Sequence, residues 1–179
     1  MNLDMEVRSV SSPKREVEGI AAPYDETTRL VPLAGGERFR FRCFARSIEH
    51  RGDKVPLFLN HDMSHMVGRS LRWADDMAGL VGVFKVREGD EGDRILSEVE
   101  DGFLPALSVG FEPIRHTRGA DGATEHQEAR LVEVSLVTVG AYAGAAVTGV
   151  RAAQPAREQL LAPFLNPPQI NLAPIPRRW

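Results

Sequence analysis

Cysteine is almost missing from this 179-residue sequence. The single residue, Cys43, rules out an internal disulfide and any cysteine-rich zinc site. A lone thiol leaves two readings, a catalytic nucleophile or a small buried apolar side chain, and the second is the commoner fate. Long apolar runs are missing too. No stretch of about 18 or more apolar residues occurs, which leaves no candidate for a membrane-spanning helix. The opening MNLDMEVRSV is acidic where a secretory signal would be basic and then apolar. A soluble, cytosolic protein with no membrane partner is therefore expected. Positive charge is short in the body of the chain: residues 1–150 carry 18 Lys and Arg against 24 Asp and Glu, a balance of −6. Residues 151–179 carry four Arg against one Glu, a balance of +3. Phosphate binding needs a dense basic patch, so no nucleic-acid partner is expected.

What is present fits one domain. Apolar side chains make up 42% and charged ones 26% of the sequence, enough for one core and too short for two. Six of the twelve prolines fall after Ala153, where they remove backbone donors and favour extended conformations. The organisation expected is a loose N-terminal arm over 1–15, a domain over 16–150, and a Pro-rich, basic, disordered tail over 151–179. The competing reading of the tail is a peptide that docks on a partner through Leu160, Leu161, Phe164 and Leu165.

Between these ends the pattern is mostly that of strands. Val17 to Tyr24, Arg38 to Phe41, Lys54 to Asn60, Met77 to Val86, Leu107 to Arg115 and Arg130 to Val139 are rich in β-branched or aromatic residues, with Gly, Pro or Asp at their bounds. Phe44 to Arg51 suits a short helix. Gly92 to Asp101 suits a better one, with Ile95, Leu96 and Val99 on one side and Gly102 as the stop. The fold class expected is mainly β with helices: a small closed or nearly closed β-barrel surrounded by a few α-helices.

Three segments carry candidate chemistry. VPLFLNHD is an apolar strand ending in Asn60, His61 and Asp62, which puts an imidazole where a buried strand meets a loop. In LPALSVGF, Ser108 lodges a hydroxyl between Leu107 and Val109, with Gly110 two residues on. In ARLVEVSLVTV, Val132, Val134 and Leu136 form one apolar face while Glu133 and Ser135 point the other way, and a mid-strand carboxylate there needs a partner. Taken singly, each has a plain structural reading: a hydrogen-bonded surface histidine, a filler serine, a solvent-facing glutamate.

Together, the order and surroundings of these segments resemble the phage prohead (capsid maturation) serine protease family of the HK97 type. The resemblance runs from about Gly19 to Ala146 and rests on GIAAPYD, FARSIE, LFLNHD followed by Gly68, ADDMAGLVGVFKV with its Gly79–Leu80 step, GFLPALSVGF and LVEVSLVTVGAYAGA. It implies a herpesvirus-protease-like fold and a serine endopeptidase that cleaves the major capsid protein precursor and scaffold. The location implied is the procapsid in the host bacterial cytoplasm. Carried onto this chain, the family's base is His61 and its nucleophile Ser108, with Glu133 as the third member; no cofactor and no metal are implied. An oxyanion hole of backbone N–H groups near Ser108 or the following loop completes the expectation. Where many members continue into a Pro-Ala-Asn-Pro turn, this chain reads Gly140, Ala141, Tyr142, Ala143 and Gly144, so a looser turn is expected there. Confinement in the shell implies activation there, with self-cleavage in residues 1–15 or 150–179. A herpesvirus-like dimer is compatible with the resemblance, but no residue of the sequence carries it.

Two other readings stand beside this one. His61, Asp62 and His65 spell H-D-M-S-H, the spacing of the zinc motif H-E-x-x-H, and would make a zinc hydrolase if they lay on a helix. Against it, VPLFLN has strand character, Asp is a shorter base than Glu, and no third ligand follows with convincing spacing. His116 and His126 flank a Gly-rich polar loop and read as solvated. The last reading is a non-enzymatic, scaffold-like assembly protein tethered by the basic tail.

Overall fold

In the computed structural model the described residues are 15–28 and 35–151. The expected arm lies outside them except for Arg15, and the expected tail except for Arg151. Arg15 itself is buried, and its guanidinium donates to the carbonyl of Arg87 and pairs with Asp93.

The six segments with strand character all form strands: β1 (Glu16–Pro23), β2 (Glu37–Phe39), β3 (Pro56–Leu59), β5 (Gly79–Val86), β6 (Ala106–Arg118) and β7 (Thr124–Val137). Two more join them, β4 (Asp62–Asp75) and β8 (Val147–Arg151). In β4 only Val67 and Ser70 are buried, so its sequence lacks the apolar alternation of a half-buried strand. Both expected helices are present, α1 (Ala45–Arg51) and α2 (Asp90–Glu100). Asp90, Glu91 and Asp93 oppose the positive end of α2, Ile95, Leu96 and Val99 bury its inner face, and Gly102, at φ 77°, follows its end.

The strands form one sheet. Its ladder runs β6, β7, β3, β4, β5, β1, β8, and β2 shares with β3 the edge of β7 that β6 leaves free. The expectation of a closed or nearly closed barrel is met as a mostly β fold with two helices among the described residues, without ring closure. The ends of the ladder approach through an isolated bridge between Ala106 and Ala146 and a hydrogen bond from Val147 N to Pro105 O of 2.9 Å. Phe39, Phe44, Phe84, Leu57, Leu80, Leu107 and Leu136 are fully buried and hold the sheet to the helices. Removing apolar area of this kind from water is the main force that orders the strands.

The turn after β7 is not loose. Tyr142 is buried and donates its hydroxyl to Glu37 at 3.2 Å, and the amide of Gly144 donates to Glu26.

Candidate active site

β7 brings the site together because it is paired on both edges. Along its second half β3 runs parallel to it, with Phe58 opposite Ser135 and Leu59 opposite Leu136. β6 runs antiparallel on the other edge, with Ser108 opposite Ser135 and Gly110 opposite Glu133. Residues two apart on a strand share a face, and so do residues directly opposite each other. Ser108, Gly110, Glu133 and Ser135 therefore occupy one patch of one face.

His61 reaches that patch from a tight turn. β3 and β4 are joined by Asn60 and His61 alone, with φ of 52° and 59°, the positive values that a two-residue hairpin turn of type I′ requires. Asn is well suited to the first of these positions; His in the second, where Gly is usual, is a point of backbone strain. Three hydrogen bonds hold it. Asn60 N donates to Leu136 O at 2.9 Å, His61 N donates to Ser135 Oγ at 3.1 Å, and ring Nδ1 contacts Glu133 Oε1 at 2.7 Å.

The two partners of that last contact differ in exposure. The Glu133 side chain is 7% exposed and the His61 side chain 45%, so a buried carboxylate steadies a ring that solvent can reach. A carboxylate only accepts, so Nδ1 carries the proton towards it, and in the neutral ring the lone pair lies on Nε2. Ser108, half-buried, lies across β7 from the turn. Among the described residues no hydrogen bond joins Ser108 Oγ to His61. Such contacts commonly tighten only with substrate bound.

Competing groups are engaged elsewhere. Asp62 Oδ1 accepts from the Ser64 amide at 2.9 Å and hydroxyl at 2.5 Å, which hold its carboxyl below the usual range, the hydroxyl most strongly. His65 Nε2 contacts Glu91 Oε1 at 2.5 Å, and this bond is the main reason the Glu91 carboxyl is held low. The H-D-M-S-H segment corrects the helical zinc reading: it is a turn running into β4, and its two imidazoles meet carboxylates on different elements. No group of three or more His, Cys, Asp or Glu among the described residues converges on a metal position. Cys43 is buried and its thiol is pushed up to about 12, chiefly by burial, which leaves it without thiolate near neutral pH.

The expectation for His126 also needs correction. His116 is exposed, but His126 is buried, with Nε2 at 2.9 Å from Glu37 Oε2, because β2 pairs beside it and covers the start of β7. Ser135 was legible only as a side chain facing the same way as Glu133. Its contacts to His61 and Glu133 had no signal in the sequence beyond that two-residue spacing.

The site is a surface feature. Cavities of about 760 and 320 Å³ lie beside α1, and neither is lined by His61, Ser108 or Glu133.

The mostly β fold thus sets an exposed histidine on a buried glutamate, with a serine on the neighbouring strand. Residues 3–159 match the family of caudovirus prohead serine proteases, and the chain belongs to that family. It is a serine-type peptidase of capsid maturation. Among solved structures, the bacteriophage T4 capsid assembly protease is similar in fold, at TM-score 0.50 and 16% identity over 68% of this chain and 80% of that one. The varicella-zoster virus protease matches at TM-score 0.45 and 20% identity over 83% of this chain and 68% of that one. A Kaposi's sarcoma-associated herpesvirus protease matches at TM-score 0.45 and 14% identity over 83% and 68%. No curated protein matches the sequence.

Proposed function

We propose that Ser108 is the nucleophile, His61 its general base and Glu133 the group that orients and charges the base, and that the substrates are the major capsid protein precursor and its scaffold segment. The 2.7 Å contact of His61 Nδ1 with Glu133 Oε1, one strand from Ser108, carries the reading. His61 Nε2 takes the Ser108 proton as Oγ attacks the scissile carbonyl, and returns it to the leaving amine as the acyl-enzyme forms. The buried Glu133 carboxylate stabilises the imidazolium formed in between. Water then takes the place of the serine and the same base releases the acid product. Action inside the procapsid, in the host cytoplasm, follows from the substrates. Self-cleavage in residues 1–15 or 150–179 belongs to the same reading, as does a nearly closed, herpesvirus-protease-like barrel, supported by the Ala106–Ala146 bridge.

The test is coexpression with the capsid precursor. Cleavage lost in Ser108→Ala and retained with a chelator is the expected result. Loss only with chelator would replace the serine mechanism with a metal-dependent one, and no cleavage by the wild type would favour the scaffold-like reading. Mass spectrometry of the active protein checks the ends: trimmed termini are expected, and intact ones would remove self-cleavage.

A further inference from the structure

Among the described residues, the Ser135 hydroxyl hydrogen-bonds to both halves of the His61–Glu133 pair. Its Oγ lies 2.8 Å from Glu133 Oε2 and 3.1 Å from the backbone N of His61. A backbone N–H can only donate and a carboxylate can only accept. The hydroxyl's single proton is therefore committed to Glu133, and a lone pair receives the His61 amide. That leaves Glu133 Oε1 free for the ring, so one oxygen of the carboxylate serves His61 and the other serves Ser135.

The same hydroxyl supports the turn. Asn60 and His61 both sit at positive φ, and the bond from His61 N to Ser135 Oγ is the only one of the turn's amide bonds that ends on a side chain. An L-residue in the left-handed region is disfavoured, so the turn persists because its amides are satisfied there and not elsewhere. Ser135 is fully buried, with its proton held by Glu133, which excludes it as the nucleophile. Its place directly across from Ser108 puts this clamp beside the attacking oxygen.

We infer that Ser135 is a positioning residue of this protease: it fixes the Glu133 carboxylate and the His61 backbone in one register, and so aims the His61 ring at Ser108. The inference rests on the Ser108–His61–Glu133 reading above. A fluorophosphonate probe tests both separately, since a serine activated by its base attacks phosphorus, fluoride leaves, and the base takes the serine proton. Saturable labelling gives a maximal rate and a half-saturating probe concentration. Ser135→Ala is expected to lower the maximal rate about 10- to 100-fold, the effect of losing a hydrogen bond to a charged group, with the half-saturating concentration changed less than about twofold. A group that merely supported the fold would lower the labelled fraction and leave the rate of the folded molecules unchanged.

A matched pair guards against misfolding. Ser135→Thr and Ser135→Val have the same shape and differ only in the hydroxyl, so Thr should label at least about tenfold faster than Val. Hydrogen exchange at the His61 amide should be faster in Val than in Thr. Wild-type labelling rates in Ser135→Ala, or equal rates in the Thr and Val forms, would overturn the role of Ser135 while leaving Ser108 in place. Absence of labelling in the wild type, or labelling that survives in Ser108→Ala, would overturn the reading beneath it.

Discussion

Gly110 stands directly opposite Glu133, and a Cβ built on it would lie 2.4 Å from Oε1, the oxygen that receives the His61 ring. The glycine is needed for space: its side of β6 is where the carboxylate rests. Gly110→Ala should displace Glu133 and reduce peptidase activity about tenfold or more, as misplacing a catalytic group by a fraction of an ångström does. Gly149→Ala, where nothing lies within 4 Å of the added carbon, is the control and should retain full activity. Cleavage assays on the two purified variants decide between them.

Glu133→Gln keeps the size of the side chain and removes its charge. The amide can still fill the buried position, but it no longer favours the imidazolium. Activity is expected to fall about 100-fold or more with little change in melting temperature. Retained activity would show that His61 works without the carboxylate.

Glu37 accepts from two buried donors, His126 Nε2 at 2.9 Å and Tyr142 OH at 3.2 Å. Glu37→Ala orphans both, at about 1–3 kcal/mol for each buried group left unsatisfied. Urea unfolding should show a loss on the order of 3 kcal/mol. Because this network ties β2 to the turn after β7, the loss measures how firmly that turn is anchored.

Cys43 should be silent chemically and visible in alkaline stability. With its thiol pushed up to about 12, only about one molecule in ten thousand carries thiolate at pH 8. Ellman's reagent should react slowly with native protein and fully in urea, and Cys43→Ala should keep wild-type activity. A buried acid with a raised pKa favours the folded state below its unfolded value near 8.5 and loses that advantage as pH rises towards 12. Stability should therefore fall above about pH 9, and less steeply in Cys43→Ala. Burial also raises the hydroxyls of Tyr24 and Tyr142, which adds a fall in the same direction at still higher pH.

Most elements could be read along the chain because their burial is periodic or continuous. β5 is apolar on both faces and α2 is apolar on one, so each announces itself without its neighbours. β4 does not, since its 14 residues are mostly exposed and owe their extended form to β3 on one side and β5 on the other. β8 is similarly hidden: VTGVR has a glycine at its centre and exists as a strand through pairing with β1. The burial of His126 is hidden for the same reason, because β2, which covers it, is remote in sequence.

The sequence by itself determined the strand that ends in His61, the strand that carries Ser108 and the side of the last long strand that Glu133 shares with Ser135, because motif and two-residue alternation are local properties. It left Cys43 open between a nucleophile and a buried side chain, and the structure shows it buried. Only the tertiary structure decided that Glu133 meets Nδ1 of His61, that Gly110 makes room for it, and that Ser135 holds both. The two contacts of His61 join residues 72 and 74 positions apart in the chain, and hydrogen bonding at such separations depends on which strands lie beside β7 and in what register.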